Sequence, residues 1–514
     1  MSQLVFWDWA IIVVYLTGVL WLGLYFSKRQ TSLREYFLAS GKMPWWAVSI
    51  SMYATMLSPL SFLGFSGWIF LKDSRHQFGG VILTSLVIYP VAAFLWVPLW
   101  GRLRMFSIYE YLEHRFHPGV RAFGAALFPI QMIFWIGNGL VTASQAFEQV
   151  VPGVSATQCL IAIVLLGTVY TMLGGSRAVI WSDVLQFGVF LFAYLVMGGV
   201  LLSYFNWQPG EIYRIASSVQ SEVTGYPHTQ FISAEFSMAI EATIWAILFS
   251  NVLQVMSFGS QQVVIQRLLA SGGQRNMYKS MFGYIGTQIV WIFLAIVVTW
   301  GLVAFYHQNV AARDAIEHPD KVLPHFVINY LPVVVRGMIL AGLLAAMMSS
   351  FDSALNSMSS VSINDFYRRY FARNRSEKDY VAASRYFTLG WGALLLLFAL
   401  WQKGHSDSTA LERVAKLHLL VIGPVLCFFV LGVFTRRATT FGALVGGLVT
   451  MAIALGLNGF PGLFEPRIEG YNWMWIEGIS VMVGLPAGYV ASLLFPAPPP
   501  EKLRGLTAVE PKGE

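Results

Sequence analysis

Charged residues are scarce in this 514-residue chain. They make up 11% of it, against roughly 25% in soluble domains. Hydrophobic residues make up 56%, and several runs reach about 20 apolar residues, enough to cross a bilayer core of about 30 Å. The sequence therefore predicts a polytopic, all-α membrane protein with no soluble domain of useful size. The net charge of +7 does not require a nucleic-acid partner, and we expect none.

Cysteine is almost absent as well. Cys159 and Cys427 both lie in apolar runs, so we expect no structural disulfide, and two thiols are too few for a metal cage. The P-loop, Rossmann, His-Glu-x-x-His and nucleophile-elbow signatures are missing, and the nine His show no metal-ligand spacing. These absences argue against ATP-driven transport and against a membrane-embedded enzyme, and no selectivity-filter loop typical of a channel is present.

Hydropathy predicts about 13 membrane spans. Most of the 33 Lys and Arg fall in alternate loops, which places the N-terminus outside and the C-terminus in the cytoplasm. We expect a multi-pass protein of the plasma (inner) membrane, a monomer or weak oligomer in the lipid bilayer. The Pro-rich, charged tail 496–514 is predicted to be disordered. The predicted spans are 5–26, 43–69, 79–100, 123–150, 157–174, 180–203, 237–262, 281–305, 333–361, 382–401, 413–434, 438–457 and 473–495.

Polar residues inside spans are candidates for function. In the second span, Pro59 removes a backbone donor and clashes with the preceding turn, and Ser, Thr and Gly surround it. A break there would free carbonyls such as those of Ala54 and Leu57, and freed carbonyls of broken helices coordinate sodium in transporters. The alternative is a harmless proline kink whose hydroxyls bond back to the helix.

A second candidate is the run Ala-Met-Met-Ser-Ser-Phe-Asp-Ser at 346–353. Ser349 and Ser353 share a helix face, and Ser350 lies beside it. Clustered hard oxygen atoms are the ligands that a small cation prefers, so the run predicts half of a sodium site. The alternative is a serine-rich seam between helices, but the Asp352 carboxylate at membrane depth needs a partner.

A third candidate is Asp183, which begins a new apolar span after Gly174-Gly175. The carboxylate could take part in a coupling site. Alternatively, it compensates the dipole at the start of a helix.

Four motifs in order give the chain a family resemblance. They are Gly-Gly-x₅-Trp-Ser-Asp at 174–183, Ala-x-x-Ser-Ser at 346–350, Gln262-Val-Val-Ile-Gln266-Arg267, and Gly423-Pro424 followed by Leu-Gly-Val-Phe-Thr-Arg-Arg at 431–437. Over about residues 5–495 the chain resembles the sodium:solute symporter family. The resemblance implies a leucine-transporter-like fold of two inverted five-helix repeats, each with a broken first helix. The implied segments are an extra helix and loop (1–42), repeat one (43–203), an extracellular loop (204–236), repeat two (237–434) and two final helices (435–495).

The resemblance also implies residues for sodium. The family's sodium site maps onto the carbonyls of Ala54, Leu57 and Ala346 and the hydroxyls of Ser349 and Ser350. Some relatives hold a second sodium, whose positions here match Asp183, Asp352 and Ser353. The carboxyl of Asp352 departs from the family pattern. It is interpreted either as an anionic sodium ligand, which we favour, or as a group that takes a proton instead.

The family implies sodium-coupled import of a small polar organic solute (sugar, polyol or organic acid) by alternating access. Sugar-carrying relatives have an Asn and a Glu-Gln pair where Met56, Leu60 and Ser61 stand here. Sialic-acid carriers have a basic residue near the place of Asn138. A proton-coupled carrier and a solute sensor without flux remain alternatives, although the short tail argues against the sensor. The candidate solute-binding residues, each of which could instead be packing, are Met56, Ser58, Ser61, Phe78, Trp135, Asn138, Asn251, Gln254, Ser257 and His418.

Overall fold

The computed structural model describes residues 5–508 except 28–29, 59–60, 63–64, 104, 152, 239–242, 317, 404–409 and 459–472. Every predicted span contains helix in this described part of the chain. The helices are α1 (Phe6–Ser27), α2 (Leu33–Leu38), α3 (Trp45–Met56), α4 (Phe65–Leu71), α5 (Val81–Leu83), α6 (Tyr89–Leu103), α7 (Tyr109–Arg115), α8 (Pro118–Val150), α9 (Ala156–Tyr204), α10 (Pro209–Ser218), α11 (Ile244–Phe258), α12 (Gln262–Ala270), α13 (Gln274–Gln308), α14 (Val310–Asp314), α15 (Val322–Tyr330), α16 (Val335–Val361), α17 (Glu377–Gln402), α18 (Ala410–Phe434), α19 (Thr440–Asn458), α20 (Trp473–Ser492) and α21 (Pro500–Leu503).

Eight helical stretches in the described ranges are long and apolar enough to cross a membrane. One of them, α9, holds two predicted spans separated by Gly175, whose φ is +58°. A side chain is excluded at Gly175, because a Cβ there would lie 2.7 Å from the Tyr36 carbonyl oxygen. Four predicted spans are not among the eight stretches: 43–69, 237–262, 413–434 and 473–495. The first of these is interrupted between α3 and α4, and α11 in the second has only 15 residues. The total of 13 spans stays a prediction.

Both predicted helix breaks are present. The helix α3 ends at Met56, and Leu57 is extended (φ −80°, ψ 107°). The chain is helical again in α4, from Phe65. Pro59 itself lies outside the described residues, but α3 ends just before it, as expected from the clash of a proline ring with the preceding turn. In the second half, α11 ends at Phe258 and α12 begins at Gln262.

The helix α16 forms the centre of the molecule. Every residue from Ile339 to Val361 is buried, and α16 packs against α1, α3, α8, α9 and α17. Its hydroxyl and carboxyl groups therefore face protein rather than lipid, as expected for polar groups at membrane depth.

The tail makes contacts with the helices. Tyr111 Oη donates to the Leu506 carbonyl oxygen (2.9 Å), and Lys502 Nζ donates to the Phe116 carbonyl oxygen (2.8 Å). Leu506 is buried against the main core. The disorder of the tail 496–514 stays a prediction. Residues 509–514 lie outside the described part.

Candidate functional site

The five oxygen atoms predicted to bind sodium form one cluster. Ser349 Oγ donates to the carbonyl oxygen of Ala54 (2.9 Å) and lies 3.2 Å from that of Ala346. Ser350 Oγ donates to the Leu57 carbonyl oxygen (3.1 Å) and lies 3.4 Å from the Ala346 carbonyl oxygen. All five residues are buried. A hydroxyl carries a single proton, so acceptors outnumber donors here, which is the condition that suits a bound cation.

The break after α3 explains how backbone oxygen atoms come to this cluster. The last carbonyls of a helix have no N–H partner within it. Here Ser350 Oγ also lies 2.9 Å from the carbonyl oxygen of Thr55. The extended conformation of Leu57 places one further carbonyl against α16. The first candidate run therefore supplies backbone ligands, and the second supplies hydroxyls.

A second cluster surrounds Asp183. Its Oδ2 accepts from Ser51 Oγ (2.5 Å) and from Arg267 Nη2 (3.4 Å). The same guanidinium donates through Nε to Ser51 Oγ (2.9 Å) and through Nη2 to Ser353 Oγ. Asp183 Oδ1 has no hydrogen bond among the described residues. The carboxylate lies eight residues beyond the Gly175 kink, so dipole compensation at a helix start does not explain it.

Asp352 lies in the same buried region and is held by hydroxyls. Its Oδ2 accepts from Tyr170 Oη (2.7 Å) and Ser182 Oγ (3.2 Å), and its Oδ1 accepts from Ser353 Oγ (3.1 Å). Ser353 Oγ is also 2.9 Å from Thr55 Oγ1, which connects this cluster to the first one. The structure thus places Asp183, Asp352 and Ser353 in one buried region.

The second cluster carries an unbalanced charge. When ionised, Asp183 and Asp352 give two negative charges, and Arg267 supplies one positive charge. An uncompensated charge in a buried site is costly, so the arrangement favours one further cation. In the sequence, Arg267 and Ser182 stood out only as parts of motifs, and nothing indicated Ser51 or Tyr170 as partners of these carboxylates. An arginine among apolar helices was the one available signal.

Two of the predicted solute-binding residues meet in one cavity. Met56 and Trp135 line a cavity of about 180 Å³ beside the ends of α3 and α12. Gln131 and Gln261, which were not among the predicted solute-binding residues, lie in the same lining. Gln131 is a polar residue within a predicted span, and Gln261 lies at the break before α12, so both could have been noticed. The other lining residues are Phe128, Met132 and Val263.

The remaining candidates lie elsewhere or outside the described side chains. Phe78 packs on the ring of Phe231, with centroids 6.4 Å apart. Asn138 donates to the Phe134 carbonyl oxygen (2.7 Å) and accepts from Gln402. None of these lines the 180 Å³ cavity. The same holds for three buried serines, Ser58, Ser61 and Ser257. The side chains outside the described part are those of Asn251, Gln254 and His418.

A family model for the sodium:solute symporter family matches residues 36–450. The chain belongs to the sodium:solute symporter family. This membership makes it a multi-pass membrane transporter rather than an enzyme, as the sequence predicted.

Individual relatives extend the likeness over almost the whole chain. The sodium/sialic acid symporter SiaT of Proteus mirabilis is 27% identical over 495 residues, which are 95% of each chain. A Na⁺-coupled sialic acid symporter solved in a substrate-bound, outward-open state superposes with a TM-score of 0.85 at 25% identity. The match covers 96% of this chain and 99% of that one.

A more distant structure shows the fold alone. The nucleobase-cation-symport-1 transporter Mhp1, in a closed conformation, gives a TM-score of 0.53 at 13% identity. It covers 91% of this chain and 97% of that one. The predicted leucine-transporter-like fold class is confirmed by these likenesses.

Proposed function

We propose that this protein is a sodium-coupled secondary symporter that imports a small polar solute by alternating access. The observation that carries the proposal is the five-oxygen cluster of Ala54, Leu57, Ala346, Ser349 and Ser350. It joins the end of a broken helix in the first half of the chain to the buried centre of the second half. A sodium ion held there would tie the two halves together, so its binding would favour one arrangement of the helices.

The energy available from sodium is sufficient for accumulation. A membrane potential of 100 mV adds about 2.3 kcal/mol for each sodium carried inward. A tenfold concentration step of solute costs about 1.4 kcal/mol. One sodium per solute would therefore support uphill import, with the N-terminus outside and the C-terminus in the cytoplasm.

We further propose that Asp183, Asp352 and Ser353 hold a second cation. Three hydroxyls, those of Tyr170, Ser182 and Ser353, donate to Asp352. An ionised carboxylate accepts hydrogen bonds through both oxygens, so this surrounding stabilises the charged form and favours a sodium ion. Proton coupling through Asp352 is the alternative, and the surplus negative charge of the cluster is the observation that supports it.

The cavity between Met56 and Trp135 supports a neutral solute. Its described lining offers the amides of Gln131 and Gln261 and the apolar face of Trp135, with no charged side chain. Amides bind hydroxyl and amide groups, whereas a carboxylate requires a basic partner in a buried site. Although several relatives are sialic acid symporters, we propose a sugar- or polyol-like solute for this chain.

Thermal stability of the purified protein in sodium and in potassium tests the proposal. A ligand that binds only the folded state raises its stability. We expect a sodium-specific rise that the Ser349→Ala/Ser350→Ala variant loses. A screen of neutral and acidic metabolites in sodium then identifies the solute class. Equal stability in both salts, together with uptake driven by a pH gradient, would show that the coupling ion is a proton rather than sodium.

A further inference from the structure

A small cavity is lined in part by Arg267. Its volume is about 10 Å³, roughly the space that one water molecule needs. Gln266 and Asn356 line it, and both side chains are at most 3% exposed. Their amide oxygens, Gln266 Oε1 and Asn356 Oδ1, have no hydrogen-bond donor among the described residues. The full lining is Ser176, Val179, Ile180, Gln266, Arg267, Ala270 and Asn356.

The orientation of both amides is fixed by their nitrogen atoms. Gln266 Nε2 donates to the Phe37 carbonyl oxygen (2.9 Å), and Asn356 Nδ2 donates to Ser176 Oγ (2.8 Å). Ser176 Oγ in turn donates to the same Phe37 carbonyl oxygen. Flipping either amide would lose its donor bond. The two oxygens are therefore two buried acceptors that lack a donor, and leaving such groups unpaired costs free energy.

Arg267 meanwhile occupies the place where a second cation would bind. Its guanidinium contacts Asp183 Oδ2 and Ser353 Oγ directly. Two positive charges in contact within a buried site repel strongly, so sodium at Asp183 and Ser353 requires the guanidinium to withdraw. Among the described residues, Gln266 and Asn356 line the same cavity as Arg267, and their amide oxygens have no donor.

We propose that Arg267 is a built-in counter-ion that exchanges between two positions. Without a second sodium, it neutralises Asp183 and contacts Ser353. With sodium bound there, its Nη2 turns to the amide oxygens of Gln266 and Asn356, which then gain a charged donor. The inference rests on the proposed second cation at Asp183, Asp352 and Ser353. The cavity holds only one water, so the movement is a short turn of the guanidinium rather than of the whole side chain.

The exchange predicts opposite effects for two substitutions at one residue. Asn356→Asp strengthens the withdrawn position of Arg267, so the full-length protein should bind sodium about tenfold more tightly. Asn356→Leu removes the acceptor and should weaken binding about tenfold, the size of one hydrogen bond to a charged group. Titration of sodium against thermal stability measures both without transport. A tighter affinity cannot result from misfolding. Gln266→Glu is a second variant that should also tighten sodium binding.

The decisive test repeats both Asn356 substitutions in the Arg267→Met variant. With the guanidinium removed, Asn356→Asp and Asn356→Leu should both lose their effect on sodium affinity. A gain by Asn356→Asp that persists in Arg267→Met would show that the new carboxylate attracts sodium itself, and would overturn the proposal. Ser357→Ala is the matched control, because Ser357 Oγ is buried on the same helix without a hydrogen bond among the described residues. It should leave sodium affinity unchanged.

The same measurements distinguish a failure of this inference from a failure of the proposed function. If wild type responds to sodium and Ser350→Ala weakens the response, but neither Asn356 variant shifts it, the exchange of Arg267 is wrong and sodium coupling stands. If wild type shows no sodium response in the presence of its solute, both are wrong.

Discussion

Ser350 Oγ and the carbonyl oxygen of Leu57 lie 3.1 Å apart, although 293 positions separate them in the chain. Leu57 is the first residue beyond α3, and Ser350 lies in the middle of α16. A change in the angle between these helices must open or close this contact. A cation bound at this contact would therefore stabilise one arrangement of the helices, because a ligand that binds one arrangement better also stabilises it.

Ser350→Ala removes a side-chain oxygen atom from the five-oxygen cluster. We expect the half-saturating sodium concentration to rise about tenfold, the scale of one lost interaction with a charged group. The half-saturating concentration is obtained from the dependence of thermal stability on sodium. Ser360→Ala is the control, since Ser360 is buried on the same helix and has no hydrogen bond in the described part. Equal losses in both variants would contradict a sodium role for Ser350.

Asp352→Asn tests the second cation. Without this carboxylate, the cluster of Asp183 and Arg267 is neutral, so the site loses its attraction for sodium. We expect uptake to depend on sodium with a Hill coefficient near 1, and less charge to move per solute in proteoliposomes. Asp8→Asn serves for comparison, because Asp8 is buried and caps Val334 and Gly337. Asp8→Asn should lower the thermal stability and leave the Hill coefficient for sodium at its wild-type value.

Trp135→Ala tests the solute cavity. Trp135 lines the cavity with Met56, and loss of a large aromatic contact in a buried binding cluster should raise the solute KM by more than about tenfold. Sodium affinity without solute should not change. The comparison is Asn138→Ala, whose side chain bonds to Gln402 and Phe134 away from this lining. A larger effect on KM from Asn138 than from Trp135 would move the solute site towards α17.

Glu113→Gln tests an ion-pair cluster outside the spans. Burial by itself would raise the pKa of Glu113, but hydrogen bonds and charges from Arg369 and Arg121 outweigh it and lower the pKa from 4.5. A carboxyl with a lowered pKa in the folded protein contributes stability above its unfolded pKa and loses it as pH falls through the folded value. We expect the free energy of unfolding of wild type to exceed that of the variant by about 1 kcal/mol at pH 7. The difference should shrink below a pH of about 4.5.

Thermal unfolding of both proteins from pH 3 to pH 7 measures this dependence. Glu211→Gln is the control, because its 3.7 Å ion pair with Arg214 is largely exposed and contributes little. A constant difference between wild type and Glu113→Gln across this range would mean that the carboxylate charge is not what stabilises the contact.

The sequence predicted the residues of the five-oxygen cluster and little of its surroundings. Ser349, Ser350 and the break before Pro59 stand out because hydroxyls and proline are conspicuous in an apolar helix. The partners of Asp183 could not be predicted, since they depend on which helices become neighbours. Arg267 lies 84 positions from Asp183, and nothing local indicates that α12 meets α9 there.

The contacts of residues 502–508 bear on where the chain can be altered. Ala508 N donates to the Val433 carbonyl oxygen (2.9 Å), Tyr111 Oη donates to the Leu506 carbonyl oxygen (2.9 Å), and Leu506 is buried against the main core. Tolerance to truncation depends on the burial and hydrogen bonding of the segment that is removed. An affinity tag or fusion partner that replaces the residues after 495 would therefore take away partners of α7 and α18, whereas one attached beyond Ala508 would leave these contacts in place.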